Sequence, residues 1–166
     1  MNHSILVIGG NLGPRRQHLQ EAIALIQAEA GPVRSLSSLY ETAPWGKVQQ
    51  PGYLNQALLI DTPLDAETLL HKLLDIEHRI GRIRREKWGA RVIDIDIIFY
   101  NDAIMALPHL KVPHPQMQHR NFVLVPVAEI APNWVHPLLH KTVAELLAAT
   151  TDDLPVTKVE YPADAV

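Results

Sequence analysis

Cysteine is absent from the chain's 166 residues. That excludes disulfides, thiolate zinc sites and a cysteine nucleophile. Nor is there any excess of basic charge. The formal net charge is −3, which argues against a general nucleic-acid binder. No apolar run approaches the roughly 20 residues that span a bilayer. The early "ILVI" is too short for a signal h-region and lacks a basic stretch before it, so the expected location is cytoplasmic, with no membrane partner. Three motifs are missing as well: G-x-x-x-x-G-K-[ST], H-E-x-x-H and a complete G-x-G-x-x-G. The last is nearly present in "IGGNLG", but Ile8 stands where the first glycine belongs. No acidic residue ends the next strand at the usual distance either. A Rossmann site, a P-loop and a zincin helix are thereby set aside.

What remains is an ordinary globular composition, 47% hydrophobic and 20% charged, long enough for one domain over 1–166 with a sizeable core. "SILVIGGNLG" reads as a buried strand entering a glycine-rich turn. "PRRQHLQEAIALIQAEAG" reads as a helix with Leu19, Ala22, Ile23, Ile26 and Ala30 inward, Pro14 at its start and Gly31-Pro32 as its stop. "VRSLSSLYET" and "LNQALLIDT" are strands on either side of a Pro/Gly-rich loop. Asp65 caps a second helix, "AETLLHKLLDIEHRI", which Gly81 closes. "KWGARVIDIDIIFY" then supplies another strand. The order βαββαβ predicts an α+β, ferredoxin-like core: a mainly antiparallel sheet with helices packed on it, followed by a C-terminal extension. That extension is expected to hold a hairpin around Asn101-Asp102, a proline-rich connection and a helix near 143–149. The polar tail 151–166 is expected to be loosely held.

Two aspartates interrupt the last core strand. Strand alternation puts Asp94 and Asp96 on one face with Val92, while Ile93, Ile95 and Ile97 face the other way. Carboxylates roughly 6 Å apart at an effective dielectric near 20 repel by about 3 kcal/mol. A Mg²⁺ site would offset that repulsion: few hard oxygen donors, with room left for water and phosphate oxygens. The plainer alternative is the solvated face of an amphipathic strand.

Just upstream lies "GRIRREKWGAR", the densest positive stretch in the chain. Guanidinium forks match phosphate oxygens, and Trp88 offers a flat stacking face beside them. Arginines leading into an acidic pair suit a Mg²⁺-polyphosphate. In "VPHPQMQHRNF", His114 is set between two prolines, better placed for phosphate or nucleotide contact than for a transition metal. "YETAPWG" and "QPGYLN" flank one loop, and Trp45, Tyr53 and Asn55 suit a flat, hydrogen-bonding heterocycle.

Taken in order, "IGGNLG", "YETAPWG", "QPGYLN", "GRIRR", "WGARVIDIDII" and "VPHPQMQHRNFVLVP" resemble the 6-hydroxymethyl-7,8-dihydropterin pyrophosphokinase family of folate biosynthesis, from about Ile5 to Pro132. The resemblance implies transfer of the β,γ-pyrophosphoryl group of ATP to the hydroxymethyl group of 6-hydroxymethyl-7,8-dihydropterin, releasing AMP; a monomer is the expected state. It implies that Asp94 and Asp96 hold two Mg²⁺ ions. It places the pterin between Tyr53 and Phe122, with Asn55 and the segment of Thr42, Ala43 and Trp45 beside it. Glu77, Arg84, Trp88, Arg91, Ile97, His114 and Arg120 match ATP-contacting positions, and Arg82 and Arg91 match arginines linked to catalysis.

The chain departs from the family pattern at Gly10, where serine is common, at Leu74, where some members have glutamine, and at Lys111 before Val112, where threonine is frequent. The arginine loop is one residue shorter than in some members. Two other readings use parts of the same pattern. A different Mg²⁺ nucleotidyltransferase or phosphohydrolase would need the acidic pair but no pterin clamp. A ferredoxin-like binding module would need neither.

Overall fold

The computed structural model describes residues 1–42, 52–81 and 92–160. Its strands are β1 (Asn2–Gly10), β2 (Val33–Leu36), β3 (Tyr40–Thr42), β4 (Tyr53–Thr62), β5 (Asp94–Tyr100), β6 (Met105–Leu107), β7 (Leu110–Val112) and β8 (Val156–Lys158). The α-helices are α1 (Arg15–Glu29), α2 (Ala66–Gly81), α3 (Asn121–Ile130) and α4 (Val143–Ala149). The main sheet runs β5-β1-β4-β3-β8, with β2 also on β4, and every pairing is antiparallel. β1-α1-β2 and β4-α2-β5 each skip over one intervening strand, as the ferredoxin-like order requires.

The sheet is buried on both faces. Under α1 and α2 lie Leu6, Ile8, Leu19, Ala22, Ile26, Leu69, Leu73, Ile76, Ile93, Ile95 and Ile97. Under α3 and α4 lie Ile5, Val7, Ala57, Ile98, Phe99, Leu124, Val127 and Val143. A bulge lets β5 serve both. Leu6 pairs with Ile97 and Ile5 with Phe99, so Ile98 is the extra residue, and it joins Phe99 on the α3/α4 side.

Both predicted helices of the core form with their expected inner faces. Asp65 caps α2 by accepting the Thr68 N–H at 2.8 Å. After α1 the chain turns at Gly31, where φ is 152° and a Cβ would lie 1.9 Å from the Asp61 carbonyl oxygen. Only glycine fits there.

Five local expectations change. The stretch "VRSLSSLYET" is two strands, because Ser37 interrupts the ladder: its N–H donates to the Ala57 carbonyl at 2.9 Å, but its Oγ, not its carbonyl, accepts the Ala57 N–H at 2.9 Å. The ladder after β5 is not closed around Asn101-Asp102. Asn101 makes a left-handed turn (φ 50°), and the hairpin pairs β6 with β7 instead, Leu107 opposite Leu110. The proline-rich connection contains α3, whose ladder simply lacks the Pro126 N–H. Within the tail, β8 pairs with β3, Thr42 opposite Val156 and Tyr40 opposite Lys158. That stretch is held to the sheet, not loose. Val92 also departs from the aspartate face: it precedes β5 and is the neighbour a Cβ on Gly81 would meet, at 3.9 Å. Among the described residues, no helix is long and apolar enough to cross a membrane.

Candidate active site

On the α3/α4 side of the sheet, the apolar rows of β1, β4 and β5 end in a cleft. Strand alternation aligns Ile5, Val7 and Gly9 of β1 with Leu59, Ala57 and Asn55 of β4 on that side, and Tyr53 follows Asn55 in the same row. The register joins them to the aspartates. Val7 stands between Ala57 and Asp96, and Gly9 stands between Asn55 and Asp94. Thr42 opposes Tyr53 one strand further on. A cavity of about 280 Å³ opens over these residues, bounded by Val7, Gly9, Thr42, Tyr53, Asn55, Asp94 and Asp96 from the sheet and by Arg120, Phe122 and Leu154 from above.

The missing side chain at Gly9 shapes the floor. A Cβ there would lie 2.2 Å from Asn55 Oδ1 and 2.9 Å from the Leu54 carbonyl oxygen. The Asn55 amide therefore occupies the space directly between its own strand and Asp94. Asn55 and Thr42 are buried, and the Thr42 hydroxyl has no hydrogen-bond partner among the described residues. A buried hydroxyl without a partner costs about 1–3 kcal/mol, which a polar ligand edge would recover.

The aspartates project from the first residues of β5, Asp94 half-buried and Asp96 exposed. Between them the Ile95 N–H donates to Glu77 Oε2 at 2.6 Å. β5 is an edge strand, so an outward N–H needs a partner from outside the sheet, and α2 supplies it. Glu77 thus fixes the backbone from which both carboxylates extend. Arg120 lies over the Phe122 ring, 5.8 Å from its centroid, a cation–π distance.

His114 is half-buried on the Asp96 side of the cleft, its N–H donating to the Ile98 carbonyl at 3.0 Å. Burial holds its imidazole below the usual histidine pKa. The Asp96 carboxylate opposes that shift and the Arg120 guanidinium adds to it. The neutral ring accepts the Gln116 N–H at Nδ1, at 3.4 Å. That leaves Nε2–H as a donor, suited to a phosphate oxygen.

Of the residues expected from sequence, Thr42, Tyr53, Asn55, Asp94, Asp96, Arg120 and Phe122 meet at this one cleft. His114 is beside it. Glu77 reaches the Ile95 backbone, not the cavity wall. Ile97 faces the α1/α2 core, only 6% exposed, and its side chain is not brought to the cleft. Ala43, Trp45, Arg82, Arg84, Trp88 and Arg91 lie outside the described residues. Sequence reasoning missed Val7, Gly9 and Leu154. The first two follow from register, since alternation from Ile5 leads directly to them. Leu154 carries no signal of its own.

Among the described residues no group of three or more His, Asp and Glu could hold a metal ion. The two carboxylates on one face nevertheless fit Mg²⁺, which is held by one or two carboxylates and completes its shell with water and substrate phosphates.

The family model for 7,8-dihydro-6-hydroxymethylpterin-pyrophosphokinase matches residues 5–132. The 2-amino-4-hydroxy-6-hydroxymethyldihydropteridine pyrophosphokinase of Synechocystis sp. is 46% identical over 145 residues, covering 87% of this chain and 74% of that protein. The protein of the same name from Aquifex aeolicus is 38% identical over 146 residues, covering 88% and 91%. Among solved structures, wild-type Plasmodium falciparum HPPK-DHPS with pteroate superposes with a TM-score of 0.73 at 17% identity, covering 89% of this chain. The chain spans only 44% of that longer protein, and at this identity the likeness establishes the fold alone.

Proposed function

The chain belongs to the 7,8-dihydro-6-hydroxymethylpterin-pyrophosphokinase family, and from that premise we propose that it transfers pyrophosphate from ATP to 6-hydroxymethyl-7,8-dihydropterin in folate biosynthesis, releasing AMP. One observation carries the reading to the level of residues. The acidic pair and the polar, aromatic wall share a single cleft, joined through Gly9 in the sheet register.

The chain's own groups divide the work. Tyr53 and Phe122 take the faces of the pterin ring, while the Asn55 amide and the Thr42 hydroxyl meet its hydrogen-bonding edge. Those contacts turn the hydroxymethyl group toward Asp94 and Asp96. Arg120 and the Nε2–H of His114 bind phosphate oxygens, and Arg82 and Arg91 supply further positive charge. The hydroxymethyl oxygen attacks the β-phosphorus in line. A new O–P bond forms there as the bond from the β-phosphorus to the bridging oxygen breaks, and AMP leaves with that oxygen. The hydroxyl proton is lost to solvent. Asp94 and Asp96 would hold two Mg²⁺ ions, which when bound neutralise triphosphate charge and lower the alcohol's pKa. Positioning and charge neutralisation are the main demands of such a transfer.

Separating the nucleotides after incubation with Mg²⁺, ATP and 6-hydroxymethyl-7,8-dihydropterin tests the proposal. AMP should form in step with pterin consumption. ADP would point to ordinary phosphoryl transfer, and AMP formed without the pterin to a nucleotide hydrolase.

A further inference from the structure

The residues above the cleft are held by a part of the chain well separated from it in sequence. α3 begins at Asn121, between Arg120 and Phe122, both of which line the cavity. Its N-cap residue, Arg120, makes no side-chain capping bond. The cap comes instead from beyond α4: Asp152 Oδ2 accepts the Asn121 N–H at 2.7 Å, and the Asp152 carbonyl accepts from Asn121 Nδ2 at 2.9 Å. The other carboxylate oxygen, Oδ1, accepts the Leu154 N–H at 3.1 Å. Two residues after Leu154 the chain enters β8, where Val156 pairs with Thr42 of the cleft floor. Leu154 itself lines the cavity. The segment therefore bridges the cleft from its roof at α3 to its floor at β3.

We propose that this strap is part of the pterin site, with Leu154 as a wall of the heterocycle pocket and Asp152 as the positioning residue that sets Arg120 and Phe122 over it. The inference rests on the pyrophosphokinase reading for the identity of the ligand. Its geometry is independent of that reading. Leu154 supplies an apolar edge beside two aromatic faces, so it acts on the flat heterocycle and not on phosphate. Asp152 fixes the first turn of α3 and so acts on both sides of it: Phe122 toward the pterin, Arg120 toward the nucleotide.

The two residues predict different patterns. Leu154→Ala should weaken binding of 6-hydroxymethylpterin, followed by its own fluorescence, about tenfold. The KM for dihydropterin should rise by more than the KM for ATP. Asp152→Ala should raise both KM values, by about tenfold each for the loss of a half-buried charged acceptor. Asp152→Asn keeps one of the two side-chain acceptors and should recover part of the loss. A purely structural tail would lower thermal stability and leave the KM values alone. Unchanged pterin binding in folded Leu154→Ala would overturn the inference, even if Asp152→Ala failed to fold. Failure of the wild-type protein to bind the pterin would overturn the functional reading and this inference with it. Wild-type binding that survives both substitutions sinks the strap alone.

Discussion

The α3/α4 side of the sheet has two ends built by the same three strands. At one end β1 contributes Ile5, and β5 contributes Ile98 and Phe99. Phe99 stacks on Trp134 with centroids 5.4 Å apart and meets His136 edge-on at 5.9 Å, so the space is filled. At the other end the same strands reach Gly9, Asn55, Asp96 and Asp94, and the space is open. The β1–β4 register continues unbroken from one to the other, while β5 passes between them through its bulge at Ile98. The side chains change from large and apolar to small, polar or charged. The site is thus a core left unfilled over its last two rows. Burial that would stabilise the fold by about 25 cal/mol per Å² is forgone there, and like charge is accepted in its place.

That contrast predicts which substitutions affect the reaction and which affect the fold. The largest effect belongs to the open end. Asp96→Ala or Asp94→Ala should lower AMP release by about 10³-fold or more, since metal-mediated charge stabilisation is worth several kcal/mol. The melting temperature should change far less than the activity. A fall in both would mean that the pair is structural. At the filled end, Phe99→Ala should cost about 3–5 kcal/mol in urea unfolding. The KM values should stay unchanged wherever the variant remains folded.

Gly9→Ala tests the boundary between the two. Its methyl would collide with the Asn55 amide and the Leu54 carbonyl, costing about 1–3 kcal/mol as overpacking does. Displacement of Asn55 should raise the KM for dihydropterin more than that for ATP. A smaller change is expected at Tyr40, whose hydroxyl donates to Glu129 Oε1 at 2.6 Å and ties α3 to β3. Burial, with Glu129 adding to it, pushes its phenol up to about 12. Tyr40→Phe should cost about 1 kcal/mol at neutral pH. Because the folded pKa is raised, the contribution of Tyr40 is complete below about pH 10 and declines as pH approaches 12.

The last prediction lies far from the cleft, on the α1/α2 side, where Glu29 joins Arg79 and Lys72 across the two helices. Hydrogen bonds from Arg79 and then Lys72 hold its carboxyl down to about 2, against 4.5 for a free glutamate. The folded pKa is depressed, so its stabilising contribution is present above about pH 4.5 and is lost as pH falls toward 2. Melting curves of wild type and Glu29→Gln should therefore converge through that window. Parallel curves would show that the pair contributes nothing.

Much of this was legible in the chain. The inner faces of α1 and α2 follow from helical spacing, and the shared face of Asp94 and Asp96 follows from strand alternation. The cleft residues on β3 and β4 follow from loop chemistry and family resemblance. What escaped has a common physical cause: it depends on partners distant in sequence. Pro126 hid α3, since a proline argues locally against helix while α3 packs against β4 and α4. Ser37 broke a strand because its hydroxyl substitutes in the ladder for a backbone group. The tail reads as loose because it is polar and carries proline, and the pairing of β8 with β3 that holds it lies far away in sequence. Gly9 reads as part of a glycine-rich turn until register sets it between Asn55 and Asp94.

The central claim is that one cleft joins the pterin to a pyrophosphoryl donor. Phosphorus NMR of the pterin product, formed by wild-type protein with Mg²⁺ and ATP, tests it most directly. Two mutually coupled phosphorus signals on the pterin, in equal amount with AMP, are the predicted result. A single phosphorus signal on the pterin, accompanied by ADP, would contradict it.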